Sequence, residues 1–285
     1  MKKTYEIAIQ YKQEDMLVGE LIMNLLFQYG FALEEVLELT ECGISSVLVY
    51  FDTNGAMRKL ANKLKKLNLK KVTIRIQSLT DDDWKTKWKK DFKPFMLTKR
   101  FKVVPSWLKK EHKTSKIPIY VDTSLAFGTG LHATTQFMAQ FIDNNSGKFD
   151  SLIDIGTGTG ILAIIARKCG ATHVAGLDIS EDAVKIAAEN MTNNDCVFDE
   201  LKAMDFDKYQ PTQKYDYVAA NLITDVLIDF KSKIIGLVKK GGYLAVSGIS
   251  VSNYEYFRKS FKSVQLRCVN IEKGNGWSAI LFKKM

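Results

Sequence analysis

The most constraining feature of this chain is a short strand that runs directly into a series of closely spaced glycines. Residues 151–155 form a largely apolar run, Gly156, Gly158 and Gly160 follow at alternate positions, and helical spacing begins at Ile161. Glycine lets the backbone turn sharply and lets a ligand approach it closely. The N-terminus of the following helix presents free N–H groups and the positive end of its dipole. The sequence therefore predicts a β-α unit with a ligand-binding corner.

The spacing of these glycines narrows the choice of ligand. Dinucleotide-binding loops read G-x-G-x-x-G, and Ile161 stands where their last glycine falls. Phosphate-binding loops end in Gly-Lys-Ser/Thr, which this loop lacks. The observed G-x-G-x-G, preceded by an acidic residue, resembles motif I of the class I S-adenosylmethionine-dependent methyltransferases. The cofactor-binding residues implied by that resemblance are Asp154, Gly156, Gly158 and Gly160.

Two acidic residues further along the chain are candidates for binding the nucleoside part of the ligand. The next predicted strand ends at Asp178, 22 residues after Gly156, and a carboxylate at such a separation accepts hydrogen bonds from ribose hydroxyls. The alternative is that Asp178 caps the following helix, a role that Ser180 could equally fill. Asp205, in a loop after the presumed third strand, is a candidate adenine contact or, alternatively, a solvated loop acid.

A second segment rich in glycine and threonine, residues 125–135, precedes the glycine corner. It reads Leu-Ala-Phe-Gly-Thr-Gly-Leu-His-Ala-Thr-Thr. We interpret it as a lid over the cofactor, with Phe127 as its apolar face and Thr134 and Thr135 as polar contacts. The alternative is a tight turn followed by a helix that Thr134 or Thr135 caps. His132, taken alone, is expected to be structural rather than catalytic.

The periodicity of the chain changes near residue 117 and predicts two domains. Residues 1–80 show the β-α-β-β-α-β order of a ferredoxin-like α+β module. Residues 117–285 alternate strands and helices, which predicts a Rossmann-like α/β fold with a parallel sheet. Less regular elements are also predicted: a strand over residues 31–39, a short third strand near Val197-Phe198 and a helix over residues 224–238.

The net charge of +9 is concentrated in one stretch of the chain. Residues 81–120 hold 12 Lys and Arg against 5 Asp and Glu, a balance of +7, and aromatic residues such as Trp84 and Trp88 are interleaved with them. We interpret residues 81–116 as a basic, aromatic interdomain linker. Such a surface is able to contact RNA or an acidic protein. The alternative is a solvated connecting helix whose aromatics dock onto a neighbouring domain.

Composition and cysteine usage exclude several classes of protein. Hydrophobic residues make up 46% of the chain and charged residues 26%, which is ordinary for a soluble globular protein. No apolar run approaches the ~18–20 residues that span a bilayer, so no membrane partner is predicted. The four cysteines lie far apart without a C-x-x-C pair, which argues against a disulfide framework and against a metal site. We expect a cytoplasmic monomer.

Taken together, these residues resemble one family, the bacterial ribosomal protein L11 methyltransferases (PrmA). The family shows Ala-Phe-Gly-Thr-Gly-x-His-x-Thr-Thr before motif I, and residues 126–135 match it. Later motifs match at residues 221–223, 247–249 and 276–277. The chain departs from the family inside motif I, where Thr157 and Thr159 replace the usual Cys and Ser and leave the glycines intact.

The resemblance implies a function as well as a fold. It implies a ferredoxin-like domain for substrate recognition, S-adenosyl-L-methionine as cofactor, and a ribosomal protein substrate, the stalk-base protein of the large subunit. Lysine side chains and the α-amine of that protein are the implied methyl acceptors. The cofactor contacts implied by the resemblance are Thr135, Gly156, Asp178 and Asn221.

Asn221, after the predicted fourth strand, is also the candidate catalytic residue. Methyl transfer from a sulfonium is an in-line displacement in which the protein chiefly orients the reactants. The side-chain carbonyl of Asn221 would orient an attacking amine without adding a charge; the alternative is a plain turn residue.

Two other functions stay open. The first is RNA methylation, disfavoured because residues 221–224 lack the prolines and the aromatic of adenine-N6 enzymes. The second is a non-catalytic module that binds the cofactor without transferring its methyl group.

Overall fold

A computed structural model of the chain describes residues 3–12, 14–29, 36–41, 43–51, 53–67, 69, 72–80, 93–122 and 130–285. They form two compact units, residues 1–93 and residues 94–285. Among the described residues, no helix is both long and apolar enough to cross a membrane. In the same part of the chain, no group of three His, Cys, Asp or Glu side chains is arranged to hold a metal ion.

In its described residues, the first unit is a four-stranded antiparallel sheet with two helices. In chain order its described elements are β1 (Lys3–Lys12), α1 (Met16–Gln28), β2 (Val36–Glu41), β3 (Ile44–Phe51), α2 (Asn54–Lys66) and β4 (Thr73–Thr80). The strands lie in the order β2-β3-β1-β4, and the chain shows the predicted β-α-β-β-α-β order. Leu60 and Leu64 of α2 pack with Ile7 and Ile9 of β1 in one buried cluster. The strand predicted at residues 31–39 is described only from residue 36 onward.

The second unit is built on a larger, mostly parallel sheet. Its described elements are β5 (Phe95–Met96), β6 (Phe101–Pro105), β7 (Ile117–Val121), α3 (Ala133–Asn144), β8 (Ser151–Ile155), α4 (Ile161–Lys168), β9 (His173–Asp178), α5 (Glu181–Asn193), β10 (Glu200–Ala203), β11 (Tyr215–Asn221), α6 (Thr224–Asp229), α7 (Lys231–Leu237), β12 (Val238–Ser250), α8 (Tyr254–Ser260), β13 (Leu266–Gly274) and β14 (Trp277–Lys284). The sheet order is β10-β9-β8-β11-β12-β14-β13. The first five strands are parallel, and β14 pairs antiparallel with β12 and β13. The predicted Rossmann-like fold is confirmed.

The centre of this sheet is fully covered, which explains its sequence. All five residues of β8 are buried, and a parallel strand buried on both faces reads as a near-continuous apolar run. Apolar residues of β8, β11 and β12 join those of α6, α7 and α8 in one buried cluster. Asp154 is the charged exception within β8, and it lies beside the glycine corner.

The structure assigns part of the predicted linker, residues 81–116, to the second unit. Residues 94–116 belong to the second unit, while residues 81–92 lie outside the described part of the chain. β5 and β6 pair with β7 in a separate three-stranded sheet. Phe101 and Val103 are fully buried there, so the apolar residues between the lysines form a sheet face instead of a connecting helix.

Two elements of the second unit differ from their predicted positions. The third strand, β10, begins at Glu200 rather than near residue 197, where Val197 is 67% exposed. The Asp199 carboxylate accepts the Val174 N–H at 2.7 Å, which holds the chain beside β9 just before pairing begins. The helix predicted over residues 224–238 is interrupted at Phe230, which ends α6 and precedes α7.

Candidate active site

The site lies where the order of the sheet reverses. From β8 the chain proceeds outward to β9 and β10, and it then returns to β11 on the other side of β8. Neighbouring loops consequently leave in opposite directions and open a crevice at the carboxyl ends of β8 and β11. In open α/β sheets such a switch point is the usual place for a ligand.

Strand register brings three predicted site residues into one row across this crevice. Ile155 of β8 pairs with the residue preceding Asp178 on one side and with the residue preceding Asn221 on the other. The next residue of β8 is Gly156, so the glycine corner is flanked by a carboxylate and by an amide. Gly156 and Asp178 were predicted as cofactor contacts from their spacing in the sequence. The strand register explains why the two residues lie close together.

The glycines of the corner are required by their backbone and by close neighbours. Gly156, Gly158 and Gly160 have φ values of +72°, +52° and +77°, in the left-handed region that glycine adopts without strain. A Cβ on Gly156 would stand 2.6 Å from the Leu222 side chain, and one on Gly160 would stand 3.2 Å from Ala187. A side chain at Gly156 or Gly160 would therefore crowd these neighbours as well as strain the backbone.

Asp178 connects the glycine corner to the second strand. Its Oδ2 accepts the Gly158 N–H at 2.9 Å, and its Oδ1 accepts the Ser180 N–H at 3.0 Å. Ser180, not Asp178, is the N-cap of α5, since its hydroxyl accepts the Ala183 N–H. The Asp178 side chain is half-buried, and each of its oxygens has lone-pair capacity for a second donor.

Asp154 is a buried carboxyl with one unused oxygen. It is 1% exposed, and Thr157 donates its hydroxyl proton to Oδ2 at 2.9 Å. Oδ1 has no hydrogen-bond partner among the described residues. Burial, together with the nearby charge of Asp178, raises the pKa of Asp154 to about 7 against the opposing hydrogen bond from Thr157. A buried polar atom without a partner is rare, and this one suits a cationic ligand group.

The first turn of α3 contains two buried threonines. His132 is the N-cap of α3 and accepts the Thr134 N–H. The alternative in which a threonine caps this helix is therefore wrong, and His132 has the structural role expected for it. The Thr134 hydroxyl lies 2.7 Å from His132 Nδ1. Thr135 is 1% exposed, and its hydroxyl has no hydrogen-bond partner in the described structure.

The Asn221 side chain is held by the first turn of α3. Its Nδ2 donates to the Thr134 hydroxyl at 3.1 Å, although the two residues are 87 positions apart. It ends β11 with its side chain half-buried, and α6 begins three residues later at Thr224. The structure thus places Asn221 at the crevice with a fixed side chain, which a plain turn residue does not need.

The remaining predicted residues are less informative. Asp205 follows β10 and caps a short 3₁₀ helix by accepting the Asp207 N–H at 3.0 Å. It is half-buried rather than fully solvated, and its adenine contact stays a prediction. Phe127 lies outside the described residues.

Sequence reasoning missed two asparagines at the C-terminal end of α5. Asn190 and Asn194 lie one turn apart and bond to alternate residues at the edge of β7. Asn194 bonds to both backbone polar groups of Tyr120, and Asn190 bonds to both backbone polar groups of Asp122. Asn190 Nδ2 also donates to the Thr159 carbonyl in the glycine corner at 3.0 Å. The sequence pattern that could have indicated this contact is the spacing of the two asparagines, since residues four positions apart lie on the same face of a helix.

The sheet order, the glycine corner and the two flanking residues define a class I S-adenosylmethionine-dependent methyltransferase. A model of the family described as ribosomal protein L11 methyltransferase (PrmA) matches residues 26–285. The chain therefore belongs to the PrmA family of ribosomal protein L11 methyltransferases.

Individual relatives agree with this assignment. The ribosomal protein L11 methyltransferase of Ruminiclostridium cellulolyticum is 35% identical over 248 residues, covering 83% of this chain and 78% of the relative. That of Dictyoglomus thermophilum is 31% identical over 245 residues, covering 82% and 79%. The crystal structure of ribosomal protein L11 methylase from Lactobacillus delbrueckii subsp. bulgaricus matches with a TM-score of 0.62 and 25% identity, covering 68% of this chain and 99% of that one. The resemblance to this family is confirmed.

Proposed function

We propose that this protein transfers methyl groups from S-adenosyl-L-methionine to amine nitrogens of ribosomal protein L11. The acceptors are lysine side chains and the α-amine of that substrate. The observation that supports the proposal is the row formed by Asp178, Gly156 and Asn221, in which a carboxylate and an amide lie on opposite sides of one glycine corner. We assign ribose binding to the carboxylate and orientation of the amine to the amide.

The residues of the corner fit the chemical groups of this cofactor. Asp178 suits the ribose hydroxyls, because a carboxylate accepts two O–H donors. The unpaired Asp154 oxygen suits a positively charged group, and the N-terminus of α4 suits a carboxylate. Thr135 offers an unpaired hydroxyl, and Asp205 is proposed to contact the adenine. When bound, the cofactor supplies an electrophilic methyl group on a sulfonium.

The protein's own contribution is to orient the nucleophile. A lysine amine has a reference pKa of ~10.4, so it must lose a proton before its lone pair is available. Asn221 then accepts an N–H of the neutral amine through Oδ1, which leaves the lone pair directed at the methyl carbon. The N–C bond forms as the S–C bond breaks, and the methylated ammonium releases a proton to solvent. Orientation of this kind is a large part of catalysis for two bound reactants.

The finer points of the proposal concern partners and place. The ferredoxin-like residues 1–80 are proposed to recognise the substrate, which is the stalk-base protein of the large subunit. The protein is proposed to act as a cytoplasmic monomer. Membership of the family supports the substrate, and the compactness of the first unit supports its separate role. RNA contact through the basic residues of the segment 81–116 stays a prediction.

Labelled S-adenosylmethionine and ribosomal subunits that lack prior methylation test this function. Label in protein L11, reduced at least tenfold by Asn221→Ala, is the expected result. Asp229→Ala is a control that removes an exposed polar side chain at the opposite end of α6 from Asn221. Label in ribosomal RNA with none in protein would replace the proposal with the RNA alternative. Cofactor binding without any labelled product would leave a non-catalytic module.

A further inference from the structure

Three segments meet behind the amide of Asn221. His132 and Thr134 come from the start of α3, Asn221 ends β11, and Trp277 begins β14. The His132 ring packs edge-on against Trp277, with centroids 5.0 Å apart and an interplanar angle of 65°. This contact fixes the plane of the imidazole, so its Nδ1 has one direction in which to bond.

The hydrogen bonds of Thr134 assign the roles of the imidazole nitrogens. The Thr134 N–H points at His132 Nδ1 at 3.4 Å, so Nδ1 is an acceptor. The Thr134 hydroxyl lies 2.7 Å from the same nitrogen and donates its single proton to it. Burial lowers the pKa of His132 to about 4, which keeps the ring neutral at physiological pH with its proton on Nε2.

The state of Thr134 in turn decides how the Asn221 amide is oriented. A hydroxyl has one proton and two lone pairs, and the proton is already used toward His132. The oxygen can therefore only accept from Asn221, and the amide nitrogen is the donor at 3.1 Å. Among the described residues no hydrogen bond reaches Oδ1 of Asn221, so that oxygen is available on the other side of the amide.

We propose that His132 is a positioning residue, which acts through the Thr134 hydroxyl to hold the Asn221 amide with its oxygen toward the acceptor amine. The inference rests on the proposed function, because that function assigns the amine to Asn221. Thr134, predicted as a cofactor contact, is thereby reinterpreted as the link between the histidine and the asparagine.

The orientation matters because the two ends of an amide act oppositely on a nucleophile. Oδ1 accepts an N–H of the amine and leaves the lone pair free to attack. The NH₂ end would instead donate to that lone pair and occupy it. A reversed amide would thus bind the amine in an unreactive state, so loss of the relay should lower kcat more than it raises KM.

Isosteric variants of Thr134 test this relay. Thr134→Val removes the hydroxyl and keeps the shape, and it is expected to lower kcat about tenfold while the affinity for S-adenosylhomocysteine stays within twofold. Thr134→Ser keeps the hydroxyl and is expected to restore most of the rate. At the other end, His132→Phe keeps a ring against Trp277 and removes Nδ1, whereas His132→Asn retains a capping acceptor. We expect a lowered kcat in His132→Phe and a kcat close to that of wild type in His132→Asn.

A double-mutant cycle shows whether Thr134 acts through Asn221. Adding Thr134→Val to Asn221→Ala should produce no further loss of kcat, because the amide that Thr134 orients is already gone. Additive losses would overturn the relay. If wild-type protein methylates L11 and Thr134→Val retains its full kcat, the relay is wrong and the proposed function stands. If wild-type protein does not methylate L11, the proposed function itself has failed.

Nitrogen NMR gives a readout that does not depend on turnover. The chain has three histidines, so His132 is assignable by comparison with His132→Phe. The relay predicts a neutral ring with its proton on Nε2 at pH 7, and a side-chain NH₂ signal of Asn221 that shifts in Thr134→Val. A proton on Nδ1, or an Asn221 signal that does not respond to Thr134→Val, would overturn the relay.

Discussion

Replacing Asn190 with alanine should weaken both the fold and cofactor binding, whereas replacing Asn194 should weaken the fold alone. Both side chains are buried, with 0% and 2% exposure. Asn190 makes three hydrogen bonds, and so does Asn194. At about 0.5–1.5 kcal/mol for each hydrogen bond, either variant is expected to lose about 1.5–4.5 kcal/mol of unfolding free energy. The two variants are therefore matched in their cost to the fold.

The difference between them lies at the glycine corner. Asn190 donates to the Thr159 carbonyl, whereas the side chain of Asn194 bonds to Tyr120 and to the backbone of α5. One lost anchor of the loop, at about 1.4 kcal/mol, corresponds to roughly tenfold weaker cofactor binding. Asn194→Ala should leave the affinity within twofold of wild type.

Two measurements separate the two effects. Urea denaturation followed by circular dichroism gives the loss of unfolding free energy, and calorimetric titration with S-adenosylhomocysteine gives the affinity. If both variants lost the same affinity for S-adenosylhomocysteine, the loss would come from the reduced stability of α5 and not from the contact of Asn190 with the glycine corner. Unchanged affinity in Asn190→Ala would show that the loop keeps its conformation without this anchor. Either result would refute the reasoning.

Three further predictions concern the corner itself. Asp178→Ala should weaken cofactor binding at least a hundredfold, since it removes two charge-assisted hydrogen bonds of about 1.5–3 kcal/mol each; Asp182→Ala, on the exposed first turn of α5, should leave the calorimetric affinity unchanged. Gly156→Ala should lose about 1–2 kcal/mol in urea denaturation from its positive φ alone; a wild-type midpoint would contradict the backbone conformation described. Asp154 has its pKa raised by burial to about 7, so the stability that it contributes is present at pH 4 and lost as the pH rises through 7. Asp154→Asn should abolish that decline, and in wild type the affinity for the cationic cofactor should rise over the same interval; identical pH profiles for the two proteins would exclude this titration.

Periodicity predicted most of the fold because each helix and strand depends mainly on residues that are close together in the sequence. Apolar alternation gave β1 and β3, and the nearly continuous apolar run at residues 151–155 gave β8. The misplaced third strand has a physical cause, since apolar character at Val197 suggested burial where the chain is in fact exposed. The region is held by the Asp199 carboxylate, which accepts a hydrogen bond from the Val174 N–H. The two residues are 25 positions apart, so no local sequence pattern shows this contact.

The basic segment shows the same limit of local patterns. Its lysines dominate the composition, and residues 81–116 were therefore interpreted as a basic, aromatic interdomain linker. In the structure, Phe101, Val103 and Val104 of β6 are buried despite the charged residues around them, and strand pairing with β7 decides the fold of this part. A short strand surrounded by charge is hard to distinguish from a loop until its partner is known.

The site was predictable in its backbone and less so in its side chains. Glycine spacing and the position of Asp178 located the corner, because register carries both residues to the same edge of the sheet. The support behind Asn221 was not predictable, since His132 and Thr134 come from a helix start 87 to 89 residues upstream. The sequence singled out Thr134 as a cofactor contact and His132 as structural, and no local pattern connected either of them with Asn221.

The departure at Thr157 shows how a site can change its residues and keep its chemistry. The family pattern has cysteine at this position, whose thiol is a weak hydrogen-bond donor. Here the threonine hydroxyl donates to the Asp154 carboxylate at 2.9 Å, which lowers a pKa that burial has raised. A stronger donor at this position increases the fraction of Asp154 that is ionised near neutral pH, and it leaves the φ angles of the flanking glycines untouched. The substitution therefore acts on the charge of the cofactor corner and not on its shape, so it is expected to alter how cofactor binding depends on pH rather than which protein is methylated.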